Sequence, residues 1–147
     1  WCSDRKLPTY DDDELRVILL ELCAGAPRFN QVKDRPVLDA VRGAMSWADQ
    51  QFVERMAPAA IPLPGGWKMK IAYAPGQPPH GRAKIQDLYG ATETPRVAGG
   101  RIPVRLDILG PNFRPVQTTE DLAGFWERLY PEVKKELKRR YPRHEWR

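Results

Sequence analysis

Cysteine, histidine and serine, which carry much of enzyme chemistry, are nearly missing from this sequence of 147 residues, which has two of each. Cys2 and Cys23 are too few for the disulfide framework of a small secreted domain, and we interpret them as reduced thiols of a cytoplasmic protein. Neither His80 nor His144 has further ligands at the spacing that binds metals, and neither serine lies in a nucleophile elbow. The sequence therefore predicts no metal site and no catalytic residue. A catalytic site assembled from scattered residues is the minor alternative.

Two longer patterns are also missing. No glycine-rich loop ends in Lys-Ser or Lys-Thr, which excludes a Walker-type cradle for nucleotide phosphates. No apolar run approaches the ~18–20 residues of a membrane-spanning helix, and the start of the chain does not have the character of a signal or transit peptide. We therefore expect a cytoplasmic protein without membrane contact. Because the chain starts at Trp1 and not at Met, we also expect it to be a piece of a longer protein.

The composition is that of one globular domain of ordinary size. Hydrophobic residues make up 41% of the chain and charged residues 29%, which is too apolar for a disordered tail. Fifteen prolines predict short elements joined by fixed loops. The formal net charge of +5 favours an acidic partner.

The first predicted helix begins at an acidic run. The successive carboxylates of residues 11–14 suit the positive end of a helix dipole, and Gly25 with Pro27 ends the helix. A metal site at the acidic run is the minor alternative, because nothing downstream supplies a companion ligand. The apolar spacing predicts a buried stripe made of Leu15, Ile18, Leu19 and Leu22.

Two more short helices are predicted before residue 58. Asp34 and Pro36 open the second, whose predicted inward positions are Val37, Leu38, Val41 and Met45. Ser46 with Asp49 has the form of a capping box and opens the third, which Pro58 ends. Residues 1–57 are therefore predicted to be a helical linker that serves as scaffold.

From residue 58 the apolar period changes from helical to alternating, which predicts strands. The predicted strands are Ala59–Leu63, Trp67–Ala74, Arg101–Leu109 and Arg114–Gln117. The segment Lys84–Tyr89 is predicted to form one or two helical turns, and the segments 75–81 and 91–100 to form loops.

The alternation also predicts which strand residues face the core. In the second strand these are Trp67, Met69, Ile71 and Tyr73; in the third they are Ile102, Val104, Leu106 and Ile108, with Arg101, Arg105 and Asp107 outward. Pro103 cannot donate to a ladder, so we expect the third strand to be an edge or to be paired on one side there.

The chain ends in a long predicted helix, Thr118 to about residue 140. A capping-box pattern, Thr118-Thr119-Glu120-Asp121, precedes an apolar stripe of Leu122, Phe125, Trp126, Leu129, Val133 and Leu137. Pro131 either kinks the helix or begins a second helical segment. The predicted fold is α+β: a small antiparallel or mixed sheet flanked by short N-terminal helices and a long C-terminal amphipathic helix.

The strongest functional signal is electrostatic. Residues 131–147 contain seven Lys or Arg against three Glu, a net charge of +4, with aromatic residues interleaved as in surfaces that bind single-stranded nucleic acid. The candidate phosphate contacts are Lys134, Lys135, Lys138, Arg139, Arg140 and Arg143, and the candidate base contacts are Tyr141 and Trp146. A second candidate group flanks the last long strand and comprises Arg96, Arg101, Arg105 and Arg114. The alternative is a solvated helix end whose cations complement the helix dipole, with Tyr141 and Trp146 folded against the body of the domain.

The sequence from about Trp47 onward resembles the C-terminal domain of the HrpB family of bacterial ATP-dependent, DEAH-box-like RNA helicases. The matching segments are Ala57-Pro58, Leu63-Pro64, Tyr73, residues 85–90 (IQDLYG), Thr94-Pro95, residues 100–104 (GRIPV), residues 109–111 (LGP), residues 114–117 (RPVQ), Asp121-Leu122, Phe125-Trp126, residues 135–137 (KEL) and residues 140–144 (RYPRH). Three positions depart from the family pattern: Tyr89 replaces a usual Phe, Gly110 a common Ser and Arg147 a common Pro.

The resemblance implies an accessory domain, residues 58–147, of an ATP-dependent RNA helicase. In that family the motor carries a Walker A loop and a DExH-type motif and uses ATP and Mg. Neither motif is present here, so this fragment alone is predicted to be no enzyme and to hold no cofactor. The expected partners are RNA, contacted through the basic helix end, and the motor domains of the same polypeptide. The alternative is a protein-docking module that packs on the motor or on a partner protein.

Overall fold

The structure, a computed structural model, describes residues 6–26 and 28–147. They form two compact units, one that ends at Glu54 and one that spans Arg55–Arg147. The helices are α1 (Asp12–Cys23), α2 (Val37–Gly43), α3 (Trp47–Met56), α4 (Leu122–Gly124) and α5 (Tyr130–Arg140), with 3-10 turns at Phe29–Gln31 and Ile85–Leu88 and a π-helical turn at Phe125–Leu129. The strands are β1 (Ala60–Pro62), β2 (Lys68–Ala72), β3 (His80–Lys84), β4 (Arg96–Val97), β5 (Ile102–Pro103), β6 (Arg105–Leu109) and β7 (Pro115–Thr119). The predicted α+β class with a mixed sheet is confirmed.

Helix α1 begins as the acidic run predicts. The Asp11 carboxylate accepts a hydrogen bond from the Glu14 amide at 2.8 Å, and the Glu14 carboxylate accepts one from the Asp11 amide at 3.0 Å. This reciprocal pair satisfies two amides that have no partner inside the helix. Of the predicted stripe, Ile18 is buried but Leu19 is 45% exposed, so the prediction for Leu19 is wrong. Gly25 ends the helix region with a positive φ, whereas Pro27 lies outside the described residues.

The predicted inward face of α2 is half wrong. Val37 and Leu38 are exposed, while Val41 and Met45 are half-buried. A helix of seven residues makes only two turns, so only one narrow strip of it can be covered. The start of α3 is as predicted, because the Ser46 hydroxyl donates to the Asp49 carboxylate at 2.7 Å and accepts from the Asp49 amide.

The main sheet has the strand order β1-β2-β3-β6-β7. Strands β3 and β6 are parallel, and every other neighbouring pair in it is antiparallel. One face of the sheet packs on the apolar core, whose side chains include those of Met69, Ile71, Leu106, Ile108 and Phe125. The opposite face carries the charged residues of β2 and β3.

Strand β3 begins inside the predicted loop 75–81 and ends at Lys84, where a helical turn is predicted, and it changes the role of β6. The β3 sequence His-Gly-Arg-Ala-Lys has small residues, Gly81 and Ala83, at its buried positions, so its alternation is weak. Gly81 leaves the space that the buried Met69 side chain fills, since a Cβ built at Gly81 would lie 2.7 Å from the Met69 sulfur. With β3 on one side and β7 on the other, β6 is an interior strand and not an edge.

Pro103 lies outside β6, in the separate two-stranded sheet that β5 forms with β4, where it is opposite Arg96. The prediction that a single strand runs over Arg101–Leu109 is therefore wrong. Asp107, predicted to face solvent, is buried with 8% exposure because polar partners from both neighbouring strands cover it. Trp67, predicted to face the core, is 69% exposed.

The C-terminal helical region begins at Asp121 and not at Thr118. The Asp121 carboxylate accepts from the Gly124 amide at 3.0 Å, and the Thr119 hydroxyl accepts from the Asp121 amide at 2.9 Å. Thr118 lies in β7, so the predicted capping box is wrong by three residues. The cap remains chemically of the predicted kind, a short oxygen-bearing side chain that satisfies a first-turn amide.

A π-helical turn separates α4 from α5. Within it the Tyr130 amide donates to the Phe125 carbonyl, five residues back. Pro131 follows in the first turn of α5, where its fixed φ suits a helix and where proline is tolerated. Pro131 therefore begins a second helical segment, which is one of the two predicted outcomes. The extra residue in the π turn places Tyr130, and not Leu129, against the core; Leu129 is 41% exposed.

This register predicts unequal costs for two truncations on the same predicted stripe. Phe125→Ala removes a ring that is 1% exposed and should lower the free energy of unfolding by about 3–5 kcal/mol. Leu129→Ala should lower it by about 1 kcal/mol or less, because the side chain is partly in solvent. Urea denaturation followed by far-UV circular dichroism measures both. A loss of about 2–5 kcal/mol for Leu129→Ala, the usual range for a buried leucine, would contradict the π register.

Candidate nucleic-acid interface

The densest cationic surface is the C-terminal end of α5. Its last turn contains Lys138, Arg139 and Arg140, and Arg143 follows three residues later; all four are exposed. Within the described residues, neither these side chains nor that of Lys135 make a hydrogen bond or an ion pair. Lys135, Lys138 and Arg139 share one helix face because they are spaced by three and four residues. This face, which we call the α5 basic face, can offer three cations to one polyanion.

Two neighbouring features limit that surface. Glu132 and Glu136 line a shallow depression of about 480 Å³ together with Lys135 and Arg139, so two carboxylates offset the positive charge of those two cations there. Lys134 is half-buried, with its Nζ 5.8 Å from the centroid of the Tyr130 ring. Lys134 therefore contributes to packing as well as to charge.

The two aromatic candidates are half-buried and pack against the core. The Trp146 Nε1 donates to the Tyr141 carbonyl at 3.0 Å. The His144 ring lies edge-on to both, with its centroid 6.0 Å from that of Tyr141 and 6.4 Å from that of Trp146. These contacts fold the last residues back onto the domain and leave less of each ring for a nucleobase. The base-stacking role of Tyr141 and Trp146 stays a prediction.

An aromatic cluster holds α5 in place. The Trp126 ring lies edge-on to the Tyr130 ring, with 4.8 Å between their centroids, and the Trp126 Nε1 donates to the Ala91 carbonyl at 2.8 Å. The Tyr130 and Tyr89 hydroxyls are 2.8 Å apart, and the Tyr130 hydroxyl also donates to the Arg147 carbonyl. Burial, with the hydrogen bond to Tyr89, raises the pKa of Tyr130 above its usual value. The cluster thus joins the 3-10 turn, α5 and the chain end.

The arginines around the last long strand differ in their partners and in their positions along it. Arg105 at the start of β6 pairs with the Glu120 carboxylate at 3.0 Å, and Arg96 donates weakly to the Gly100 carbonyl at 3.5 Å. Arg101 is exposed in the turn before β5. Arg114 is exposed just before β7, which begins opposite Leu109 at the far end of β6. At ~3.3 Å per residue, Arg105 and Arg114 are separated by about 13 Å along the strand.

The open face of the sheet carries a further basic group, outside the candidate contacts predicted from the sequence. Lys68, Lys70 and Arg82 are exposed on β2 and β3, and they flank a shallow depression with the half-buried His80. The alternation of Lys68 and Lys70 is visible in the sequence, but it stays isolated without β3 beside it. A correct prediction of β3 as a strand would have placed His80 and Arg82 beside Lys68 and Lys70 on one face of the sheet.

Asp107 is buried beneath this face and contacts side chains from both neighbouring strands. Its carboxylate accepts from the Thr118 hydroxyl at 2.6 Å and from the Arg82 Nε at 3.3 Å, and it lies 3.0 Å from the His80 Nε2. Burial alone would raise the pKa of Asp107, but the hydrogen bonds and the charge of His80 outweigh it, so the pKa is lowered. One carboxylate thereby ties β3, β6 and β7 together. No group of three or more metal-ligating side chains occurs among residues 6–26 and 28–147.

Because the pKa of Asp107 is lowered by folding, its stabilising effect should be present above the ordinary carboxyl pKa and lost as the pH falls through the folded value. Asp107→Asn should therefore lower the free energy of unfolding by about 1–3 kcal/mol near neutral pH. At about pH 3 the gap between the variant and the wild type should narrow. Urea titrations at the two pH values measure this. The matched control is Asp39→Asn at an exposed carboxylate, and an equal effect of both substitutions would contradict the role of Asp107.

No helix in the described part of the chain is both long and apolar enough to cross a bilayer. The aromatic cluster and the segments that resemble the HrpB family lie in the same unit, Arg55–Arg147.

Comparison with known proteins agrees with that resemblance. A family model described as "ATP-dependent helicase C-terminal" (HrpB_C) matches residues 18–147, which extends the match well before Trp47. The ATP-dependent RNA helicase HrpB of Escherichia coli (strain K12) is 36% identical over 154 residues, which cover 99% of this chain and 19% of that protein.

Two solved structures carry the same fold. A crystal structure of the E. coli DExH-box NTPase HrpB superimposes with a TM-score of 0.88 at 34% identity, covering 100% of this chain and 19% of that chain. A crystal structure of the Escherichia coli DEAH/RHA helicase HrpB gives a TM-score of 0.76 at 34% identity, covering 99% of this chain and 19% of that chain. The family model, the sequence identity and the fold agree, and the chain belongs to the HrpB-type family of ATP-dependent helicase C-terminal domains.

Proposed function

We propose that this chain is the accessory C-terminal domain of an ATP-dependent RNA helicase and that it contributes RNA contacts through the α5 basic face. The chain spans 19% of the length of the RNA helicase relative that it matches, so the motor would lie in the rest of the polypeptide. ATP and Mg would be held there, since this sequence has no Walker-type loop. We expect the isolated chain to show no ATPase activity.

The observation that carries the proposal is that three cations on α5 are exposed and unpaired within the described residues. Lys135, Lys138 and Arg139 are exposed, and within the described residues their side chains have no ion-pair or hydrogen-bond partner. The aromatic cluster packs the start of this helix against the core of the domain. Cations of this kind bind phosphates with a salt-dependent affinity that does not depend on base identity.

The test is a four-residue charge removal at the helix end, in which Lys135, Lys138, Arg139 and Arg140 are each replaced by Gln. Gln keeps the length and the helix propensity of the side chain but not its charge. Fluorescence anisotropy with single-stranded and duplex RNA should show weaker binding to both. The slope of log K against log salt should fall by as much as about 3 for single strands, at ~0.7 per phosphate contact.

A charge-matched control separates a local effect from the loss of net charge. Lys6, Arg28, Lys33 and Arg42 are exposed and lie outside α5, and their replacement by Gln removes the same four charges. This control should bind RNA almost as the wild type does. If both variants lose the same affinity, or if neither does, the α5 basic face is not the RNA contact.

A second candidate function, protein docking, is favoured by the helices of the N-terminal unit. Several large apolar side chains there are exposed: Val17, Leu19, Leu20, Val37, Leu38 and Trp47. Along α1, Leu19 and Leu20 line an apolar groove of about 310 Å³ with Cys23 and Arg16. Exposed apolar residues in such number suit a surface that packs on another part of a protein. We propose that the groove along α1 packs on the part of the same polypeptide that precedes this chain.

Leu20→Glu tests the docking candidate. Leu20 is 71% exposed, so the substitution should leave the free energy of unfolding of the isolated chain within ~0.5 kcal/mol of the wild type. It should weaken association with the separately purified motor region by at least about tenfold, since it places a charge in an apolar contact. Isothermal titration calorimetry measures that association. Glu21→Gln on the polar side of α1 is the control, and unchanged association of Leu20→Glu would contradict the docking surface.

A further inference from the structure

Strands β2 and β3 separate at one end and leave a cavity between them. Their ladder contains only two pairs, Ile71 with Gly81 and Ala72 with His80. Beyond these pairs, residues 68–69 and 82–84 line a cavity of about 510 Å³. This volume is in the usual range for small-molecule sites, ~300–1,000 Å³. The cavity lies wholly within the unit Arg55–Arg147.

The charges at this cavity favour an anion. Lys68, Arg82 and Lys84 line it, against one carboxylate, that of Asp87. Arg82 is held by Asp107, whereas the side chain of Lys68 has no partner within the described residues. The lining therefore has a net charge of +2, with at least one cation free to bind.

Two exposed aromatic rings stand at the same cavity. Trp67 is 69% exposed and Phe113 is 66% exposed, and both line it. The Lys84 Nζ lies 4.2 Å from the centroid of the Phe113 ring, which places a cation directly beside an aromatic face. Exposed aromatic faces next to cations are the combination that binds single-stranded nucleic acid, with bases stacked on rings and phosphates held by cations.

The backbone under both rings is fixed. The Trp67 carbonyl accepts from the Leu63 amide at 2.8 Å in the β1–β2 turn. Phe113 adopts a φ of +60°, and its amide donates to the Gly110 carbonyl at 3.0 Å. A large exposed side chain in the left-handed region has a conformational cost, and such strain concentrates at functional sites. Asn or Gly would occupy this turn position with less strain, so the ring itself has to account for its presence.

We propose that the cavity between β2 and β3 binds one segment of single-stranded RNA, with bases stacked on Trp67 and Phe113 and a phosphate held by Lys68 and Lys84. The inference rests on the proposed RNA role of the domain and adds a second contact surface to it. Stacking requires unpaired bases, so the cavity would discriminate single strands from duplexes, which the α5 basic face cannot do.

Trp67→Ala and Phe113→Asn, made separately in the full 147-residue chain, test the proposal. Asn tolerates a positive φ, so Phe113→Asn removes the ring while relieving the backbone, and its urea midpoint should be no lower than that of the wild type. Each variant should bind a fluorescein-labelled oligouridylate about tenfold more weakly. Affinity for a duplex of the same length and the salt slope should not change. Trp47→Ala, at an exposed tryptophan of α3, is the control and should bind as the wild type does.

The outcomes separate this proposal from the function proposed above. If Trp67→Ala and Phe113→Asn bind oligouridylate like the wild type while the α5 variant does not, the cavity proposal is overturned and the α5 basic face stands. If the α5 variant is unaffected but the two aromatic variants lose binding, the cavity stands alone. A loss of duplex affinity equal to the loss of single-strand affinity would overturn stacking. Retained RNA binding with lost association to the purified motor region would make the cavity a protein-docking site and overturn the proposal.

Discussion

The position of the C-terminal helix depends on one wide turn. Pro131 has no N–H to donate to a carbonyl four residues back, and its ring would clash with that carbonyl in a continuous α-helix. The chain instead makes a π turn in which the Tyr130 amide reaches the Phe125 carbonyl. That extra residue brings Phe125, Trp126 and Tyr130 to the core side together, where their ring centroids lie 4.8–6.1 Å apart. The direction in which α5 presents its cations follows from this packing.

The sheet depends on a different kind of interaction. Its parallel pair, β3 with β6, needs a long crossover connection, and the crossover contains the 3-10 turn, β4 and β5. On the open face the Asp107 carboxylate joins side chains of β3 and β7, and on the core face Gly81 accommodates Met69. Removing one partner of a buried carboxylate is destabilising, because an unpaired buried charge is costly. The charged residues around it are therefore part of the sheet's stability as well as of its surface.

Much of the fold could be predicted from the sequence because its strongest signals are local. The acidic start of α1, the Ser46 cap and the 3-10 turn at Ile85–Leu88 come from residues close together in the chain. What could not be predicted depends on partners distant in sequence. β3 lacks large apolar residues because Met69 of β2 fills the space above Gly81, and Asp107 is buried because β3 and β7 supply its hydrogen bonds. Leu129 is wrongly predicted to face the core because periodicity alone assumes a regular helix, whereas the turn before Pro131 changes the register.

The candidate site also combines a feature that is local in the sequence with features that depend on distant partners. A run of cations at a helix end is visible in the sequence, and the structure leaves those side chains exposed. The aromatic residues nearest to them in sequence, Tyr141 and Trp146, are instead half-buried against the core. The rings that remain exposed beside cations, Trp67 and Phe113, are 46 positions apart in the sequence and line one cavity because the sheet brings the β1–β2 turn and the β6–β7 turn to it. The sequence thus shows where cations cluster along the chain. Which cations lie beside an exposed aromatic ring is decided by the folded sheet. A nucleic-acid surface that needs both is better located from the sheet than from the basic run.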